Sequence, residues 1–258
     1  MTIHPILILL LLGHVLGDFY FQWNTMAEKK RDSSNKKTQF LWLLMHSGVY
    51  FLCIAAILFI GAGVSRYWWF VVLGVSIIHL LIDLIKICIP YKKTFIIDQA
   101  LHLASIIILW RLWGECLSIP GLSTLLSTLR ELSGAINQTP AELALITLGL
   151  LWILKPVGIL IKQGDIWDFN HGAPNEKQKG AGKMIGYLER IIVFVLLING
   201  EFSAIAFVLA AKSVMRFKEI GTDENASLPA EFYIIGTLLS MTSVFVITFL
   251  LGLIGSMA

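Results

Sequence analysis

Polar positions are sparse along this chain, and they fall at regular places. Apolar runs of about the ~20 residues that a bilayer requires cover roughly His4–Trp23, Gln39–Ala62, Tyr67–Ile89, Phe95–Trp113, Ala141–Ile161 and Ala230–Gly255. A further apolar stretch, Met184–Val214, is broken by Asn199-Gly200-Glu201. It is too long for one ordinary span and reads as two short helices joined by a tight turn, either crossing as a thin hairpin or re-entering. The pattern predicts an all-α, polytopic membrane bundle of seven or eight hydrophobic helices, counting the split or re-entrant pair. Residues 1–113 form a four-span half, 114–140 an external amphipathic loop, and 141–258 a C-terminal membrane half with a basic cytoplasmic loop.

Composition supports the bilayer reading. Of the 258 residues, 57% are hydrophobic and 14% charged, with a mean hydropathy of +0.78. A soluble domain carries ~25% charged residues, so this chain has too few to clothe a water-facing surface. That excludes a secreted disulfide scaffold, a disordered chain and a nucleic-acid binder with a large basic domain. Cys53, Cys88 and Cys116 are far apart, without a CxxC, and read as packing residues. The N-terminal run lacks the basic start of a signal peptide and contains His14 and Asp18, so it is expected to remain as the first span.

Charge sets the orientation. Fifteen of the 20 Lys and Arg residues lie in Asn24–Thr38, just after the third and fifth spans, and at the end of the split region. The opposite loops hold only Arg66, Arg111 and Arg130. The positive-inside rule then puts the N-terminus outside and the basic loops in the cytoplasm.

Within the first four spans stand His14, Asp18, His46, His79, Asp83, Asp98 and His102. Ionisable groups at such positions cost at least ~2.5–3.5 kcal/mol each on insertion scales. Three pairs, His14/Asp18, His79/Asp83 and Asp98/His102, have i, i+4 spacing, which puts both side chains on one helix face about 5–6 Å apart. Spans one and three run inward with His first, and span four runs outward with Asp first. All seven groups therefore fall in one layer, roughly 5–15 Å inside the cytoplasmic boundary. One shared polar site is expected. Imidazole with carboxylate suits Zn, Mn or Fe, as one ion with outer carboxylates or as two ions; a proton or hydrogen-bond network would use the same residues.

Downstream, Glu189, Arg190, Lys212 and Arg216 mark the split region, and Asp165, Asp168 and His171 form a weaker set in a Gly-rich loop. The bases read either as interfacial ion pairs or as a phosphate-binding patch. Lys86 and Gln22 lie one turn beyond Asp83 and Asp18, at the mouth of the expected site. No P-loop, dinucleotide fingerprint, nucleophile elbow or HExxH is present.

The run His14-Val-Leu-Gly-Asp18-Phe-Tyr-Phe-Gln22, with His79-Leu-Leu-Ile-Asp83-Leu-Ile-Lys86 and Asp98-Gln99-Ala-Leu-His102, resembles the bacterial membrane-protein family catalogued as domain of unknown function 3307. Gly186-Tyr-Leu-Glu189-Arg190, Lys212-Ser-Val-Met-Arg216 and Glu231-Phe-Tyr-Ile-Ile-Gly236-Thr237 look like its C-terminal pattern. The resemblance implies a multi-pass protein of the bacterial inner membrane and supplies no reaction. The use of intramembrane His and Asp is more loosely similar to membrane-bound metal-dependent hydrolases.

The leading expectation is a membrane-embedded, metal-dependent hydrolase with one or two divalent ions. Its four histidines and three aspartates would be ligands or their supports, with Asp18, Asp83 or Asp98 as general base. Lys86, Arg190, Lys212 and Arg216 would hold the anionic head of a phosphate-bearing lipid or other amphipathic substrate. The alternatives are a divalent-metal or proton-coupled transporter and a non-catalytic anchor or sensor for a cytoplasmic partner. The lipid bilayer is the expected surrounding, an oligomer is compatible with the composition, and nucleic acid is not an expected partner.

Overall fold

The computed structural model describes residues 5–31, 35–62, 67–88, 95–117, 140–162, 176–220 and 230–256. Among the described residues there is no strand. The helices are α1 (Pro5–Val15), α2 (Asn24–Arg31), α3 (Lys36–Ala62), α4 (Trp68–Cys88), α5 (Phe95–Trp113), α6 (Pro140–Lys162), α7 (Glu176–Ile198), α8 (Phe202–Ile220) and α9 (Ala230–Ser256). A wide π-turn, Leu16–Tyr20, prolongs α1. Most of the expected external loop lies outside the described residues, as do Asp165, Asp168 and His171.

Five stretches are long and apolar enough to cross a membrane: Lys36–Gly61, Trp68–Ile87, Phe95–Trp113, Glu142–Ile161 and Ile234–Ile254. Pro5–Tyr20 with Asn24–Lys30 makes a sixth only as a pair bent by 85°. Seven or eight hydrophobic helices including the split pair were expected; the count of spans falls short of that at the first helix, which passes only as part of the bent pair, and in the split region. The apolar part of α8, Phe202–Val214, rises only about 20 Å at 1.5 Å per residue, short of a ~30 Å hydrocarbon core. The first turns of α7 carry Glu176, Lys177 and Lys179. The helices are turned inside out relative to a soluble protein. Leu52, Phe59, Phe70, Leu112 and Phe249 are exposed while His14, Asp18, His46, His79, Asp83, Asp98 and His102 are buried, the arrangement that lipid favours.

The chain forms two compact units, residues 1–148 with 255–258, and residues 149–254. In the first, α1 is buried nearly all round, from Ile6 through Val15, as a helix without a polar face must be. It packs on α3 and α5, while α3 also packs on α2 and α4, and α4 on α5. Gly13 and Gly17 allow the close approach to α3. A Cβ on Gly13 would stand 2.8 Å from Ile54 Cδ1, and one on Gly17 3.1 Å from the Tyr50 Cα, so this is a GxxxG contact. The buried stripe of α3 is Leu43, His46, Tyr50, Ile54 and Leu58, a three-and-four spacing that carries its polar members into the core.

The second unit buries Ile153, Val157, Val193, Phe194, Ile205, Met241 and Val244. The expected tight turn separates α7 from α8. Gly200, at φ 74°, donates its N–H to the Leu197 carbonyl at 3.1 Å and Glu201 donates to Leu196 at 2.9 Å. This is a Schellman ending, in which the left-handed residue is best a glycine.

Candidate functional site

Four elements of the first unit deliver polar side chains to one buried place. α4 carries His79 and Asp83 on the stripe that also holds Val72, Val75 and Ser76. α5 carries Asp98, Gln99 and His102 on the stripe continued by Ile106 and Leu109. α3 supplies His46 and Tyr50. Asp18 comes from the π-turn, where the Phe21 N–H reaches the Leu16 carbonyl at 2.8 Å. The extra residue in that turn gives Asp18 a different bearing from His14, and π-bulges recur at functional positions.

The centre is a set of imidazole nitrogens and carboxylate oxygens at short range. His46 Nε2 lies 3.1 Å from His79 Nε2, 3.3 Å from Asp18 Oδ1 and 3.4 Å from Asp83 Oδ2. His79 Nε2 is 3.7 Å from Asp83 Oδ2 and 3.9 Å from Asp18 Oδ1. His102 Nε2 is 3.5 Å from Asp98 Oδ1 and 3.8 Å from Asp83 Oδ1. Two triples have ligand atoms all within 4.8 Å of one another, Asp18/His46/His79 and His79/Asp83/His102. Bonds of ~2.0–2.2 Å at tetrahedral to octahedral angles put ligand atoms about 2.8–3.6 Å apart, close to the shorter of these separations.

Each carboxylate is also held from outside. Gln99 Nε2 donates to Asp18 Oδ2 at 2.9 Å. Lys30 Nζ donates to Asp83 Oδ2 at 2.7 Å, and Lys86 Nζ to Asp98 Oδ2 at 2.5 Å. The other face of Gln99 reaches His14, whose Nε2 is 3.3 Å from the amide oxygen and whose Nδ1 is 3.3 Å from the Tyr50 hydroxyl. With His14 protonated on Nε2, these bonds run in one direction: Tyr50 to His14, His14 to Gln99, Gln99 to Asp18. Tyr50 also stacks on His79 at 3.7 Å and 8°, and His79 stacks on His102 at 4.2 Å. His79 is thus fixed between two rings.

Six of the seven expected His and Asp residues crowd this centre. His14 is buried beside it, with both ring nitrogens turned to Tyr50 and Gln99, so it stands behind Asp18 rather than among the converging atoms. Lys86 reaches Asp98 across the α4–α5 pair. Three participants had no assigned role in the sequence. Tyr50 is one turn from His46 on the α3 stripe, and Gln99 is next to Asp98, so helical spacing could have flagged both. Lys30, read only as part of a basic loop, arrives through the bend before α2; Gln39 Nε2 donates to its carbonyl at 3.1 Å, and Met26 of the same helix is fully buried.

Of the other bases expected to bind phosphate, Arg190 and Lys212 have partners within the second unit. Lys212 pairs with Glu189. Arg190 meets Ser240 and the Leu154 carbonyl. Arg216 is on α8, its side chain outside the described residues.

Residues 6–127 match the family model described as protein of unknown function (DUF3307). Over that stretch the chain is similar to this family. The match contains every residue of the His/Asp centre together with Lys30, Tyr50 and Gln99, and it stops short of the second unit. The C-terminal motifs that also resemble the family therefore lie beyond the matched stretch. No curated protein and no solved structure matches the chain.

Proposed function

We propose that the DUF3307 region is a membrane-embedded, metal-dependent hydrolase whose single divalent ion sits between α3, α4, α5 and the π-turn. The observation that carries this is the sharing of His79 by both ligand triples. One neutral imidazole nitrogen donates to one cation, so the triples merge into one site: Asp18, His46, His79, Asp83 and His102. The polar atoms left over fit this reading. His102 Nε2 and Asp98 Oδ1 have no hydrogen-bond partner among the described residues, and a buried orphan of this kind costs about 1–3 kcal/mol. Mixed imidazole and carboxylate ligation favours Zn, Mn or Fe.

The residues around the ion divide the work. The Tyr50–His14–Gln99 chain orients Asp18. Tyr50 and His102 clamp the His79 ring. Asp98 faces His102 and is tied to Lys86, where it would serve as general base; the ion, when bound, would supply the acidification of a water. Lys30 and Lys86 are ammonium groups at the edge of the centre and suit an anionic substrate; its depth in an apolar bundle suits an amphipathic one, such as a phosphate-bearing lipid. Because Lys30 belongs to the basic stretch before α3, the positive-inside argument supports a site facing the cytoplasmic leaflet.

The test is metal analysis of the purified full chain, followed by hydrolysis assays on phosphate-bearing lipids with and without chelator. The expected result is about one tightly held ion per chain and turnover lost on chelation and restored by metal. Absence of a held ion in protein that stays folded would overturn the reading. One observation favours a second reading: the direct 3.1 Å approach of His46 and His79 also suits a proton path, as in a proton-coupled transporter. Proton or metal flux in vesicles without a retained ion would support it.

A further inference from the structure

Arg190, in the middle of α7, is only 4% exposed in a unit built from apolar helices. A guanidinium has five N–H donors. One terminal nitrogen donates to Ser240 Oγ at 3.3 Å and the other to the Leu154 carbonyl at a long 3.5 Å. Nε has no partner, and among the described residues no carboxylate pairs with the group. The adjacent Glu189 is taken by Lys212. Glu231 opens α9 nine residues before Ser240, about 13 Å farther along the axis. A buried cation left without an anion is costly in water-soluble proteins and more so within a bilayer.

The surroundings of the group suit an anion that no described residue supplies. Arg190 lies over the Tyr187 ring at 5.2 Å, and Lys183 lies over the same ring at 5.5 Å, so positions 183, 187 and 190 put two cations on one face of α7. A Cβ on Gly186 would meet only Nη1, at 3.5 Å, so that flank of the guanidinium is open, while the Gly158 flank is shared with the Tyr187 ring, whose Cε1 would lie 3.4 Å from a Cβ there and Nη2 3.7 Å. The free donors are Nε–H and the second proton of each terminal nitrogen, which form the fork that a bidentate oxyanion matches.

We infer that the C-terminal unit holds a phosphate oxyanion at Arg190, with Lys183 as the second cation and Ser240 as the group that orients the fork. This site is independent of the metal reading, since it uses no residue of the His/Asp centre. The phosphate comes either from an anionic lipid head or from free phosphate. Basic pockets between membrane helices commonly take lipid heads.

The experiment is a thermal-unfolding titration of the full chain in detergent with three probes: inorganic phosphate, phosphatidylglycerol, and diacylglycerol of the same acyl chains. The wild type should show saturable stabilisation by a phosphate-bearing probe and none by diacylglycerol. Saturation by phosphatidylglycerol alone assigns a lipid head, and equal stabilisation by inorganic phosphate assigns the free ion. Arg190→Met should weaken the midpoint at least ~10-fold, the size expected for charge-assisted bonds. Gly186→Ala adds a methyl at ordinary contact distance; it should keep the ligand-free melting temperature and still weaken binding, so it decides the matter if Arg190→Met fails to fold. Wild-type midpoints in both variants, in Gly186→Ala alone where Arg190→Met does not fold, or no saturable stabilisation by either phosphate probe, would overturn the site.

Discussion

In the N-terminal unit three carboxylates are buried, and each is held by a lysine or an amide: Asp83 by Lys30, Asp98 by Lys86, Asp18 by Gln99. In the C-terminal unit one guanidinium is buried against a hydroxyl, a carbonyl and a ring. In the first centre the three carboxylates face only two lysines, while in the second Arg190 has no carboxylate partner among the described residues. Opposite imbalances in the same apolar surroundings call for opposite guests, a cation in one and an anion in the other. Burial alone does not distinguish the units; the sign of the uncompensated charge does.

The strongest way to break this contrast is His79→Ala. It removes the ligand common to both triples and the ring between Tyr50 and His102, so metal affinity should fall by more than ~100-fold, beyond what loss of an outer partner produces. Phosphate binding at Arg190 should be untouched. A variant that keeps its ion would separate the histidine cluster from any metal. Asp83→Asn comes next. It preserves shape but not charge and should cost ~10–100-fold in metal affinity, read by metal competition. Lys30, freed from Asp83, can carry its ammonium outward along its stem, so melting should change little and Lys30→Met should not restore binding. Rescue by that second change would make the pair a simple ion pair. The smallest effect belongs to Lys86→Met. Its side chain is 35% exposed, so the Asp98 contact is worth less than ~1 kcal/mol; a shift in substrate KM with an unchanged melting temperature would sharpen its role at the mouth.

Much of the N-terminal unit was legible because helix spacing and sequence spacing are the same quantity there. His79/Asp83 and Asp98/His102 lie on regular helix, and their i, i+4 pattern carried directly into the centre. His14/Asp18 followed the same pattern but crosses the π-turn; the His14 ring still lies 6.0 Å from that of His79 and 5.6 Å from that of His102, while its nitrogens face Tyr50 and Gln99, a pairing that helical spacing does not encode. Lys30 was illegible for another reason: its contact with Asp83 joins residues 53 apart through a bend of 85°, and no local period encodes that. The split region was legible as a helical pair through Asn199-Gly200, whereas its capacity to span depended on the length of the apolar part of α8. Arg190 stood out with Glu189, Lys212 and Arg216 as a charge of the split region, yet its partners come from α6 and α9, which a one-dimensional pattern does not bring together.

The wide turn at Leu16–Tyr20 also limits how this stretch of chain can change in length. Removing a single residue there would let ordinary α-helix run through. Every side chain on one side of the cut would then rotate by about 100° against the other side. Either the Gly13/Gly17 face would leave α3 or the Asp18 carboxylate would turn toward lipid. Exchange of one apolar side chain for another in this segment is a matter of volume, while loss of one residue is a matter of phase. Two chains of the same composition and hydropathy, differing only by that gap, would share the bundle and not the centre.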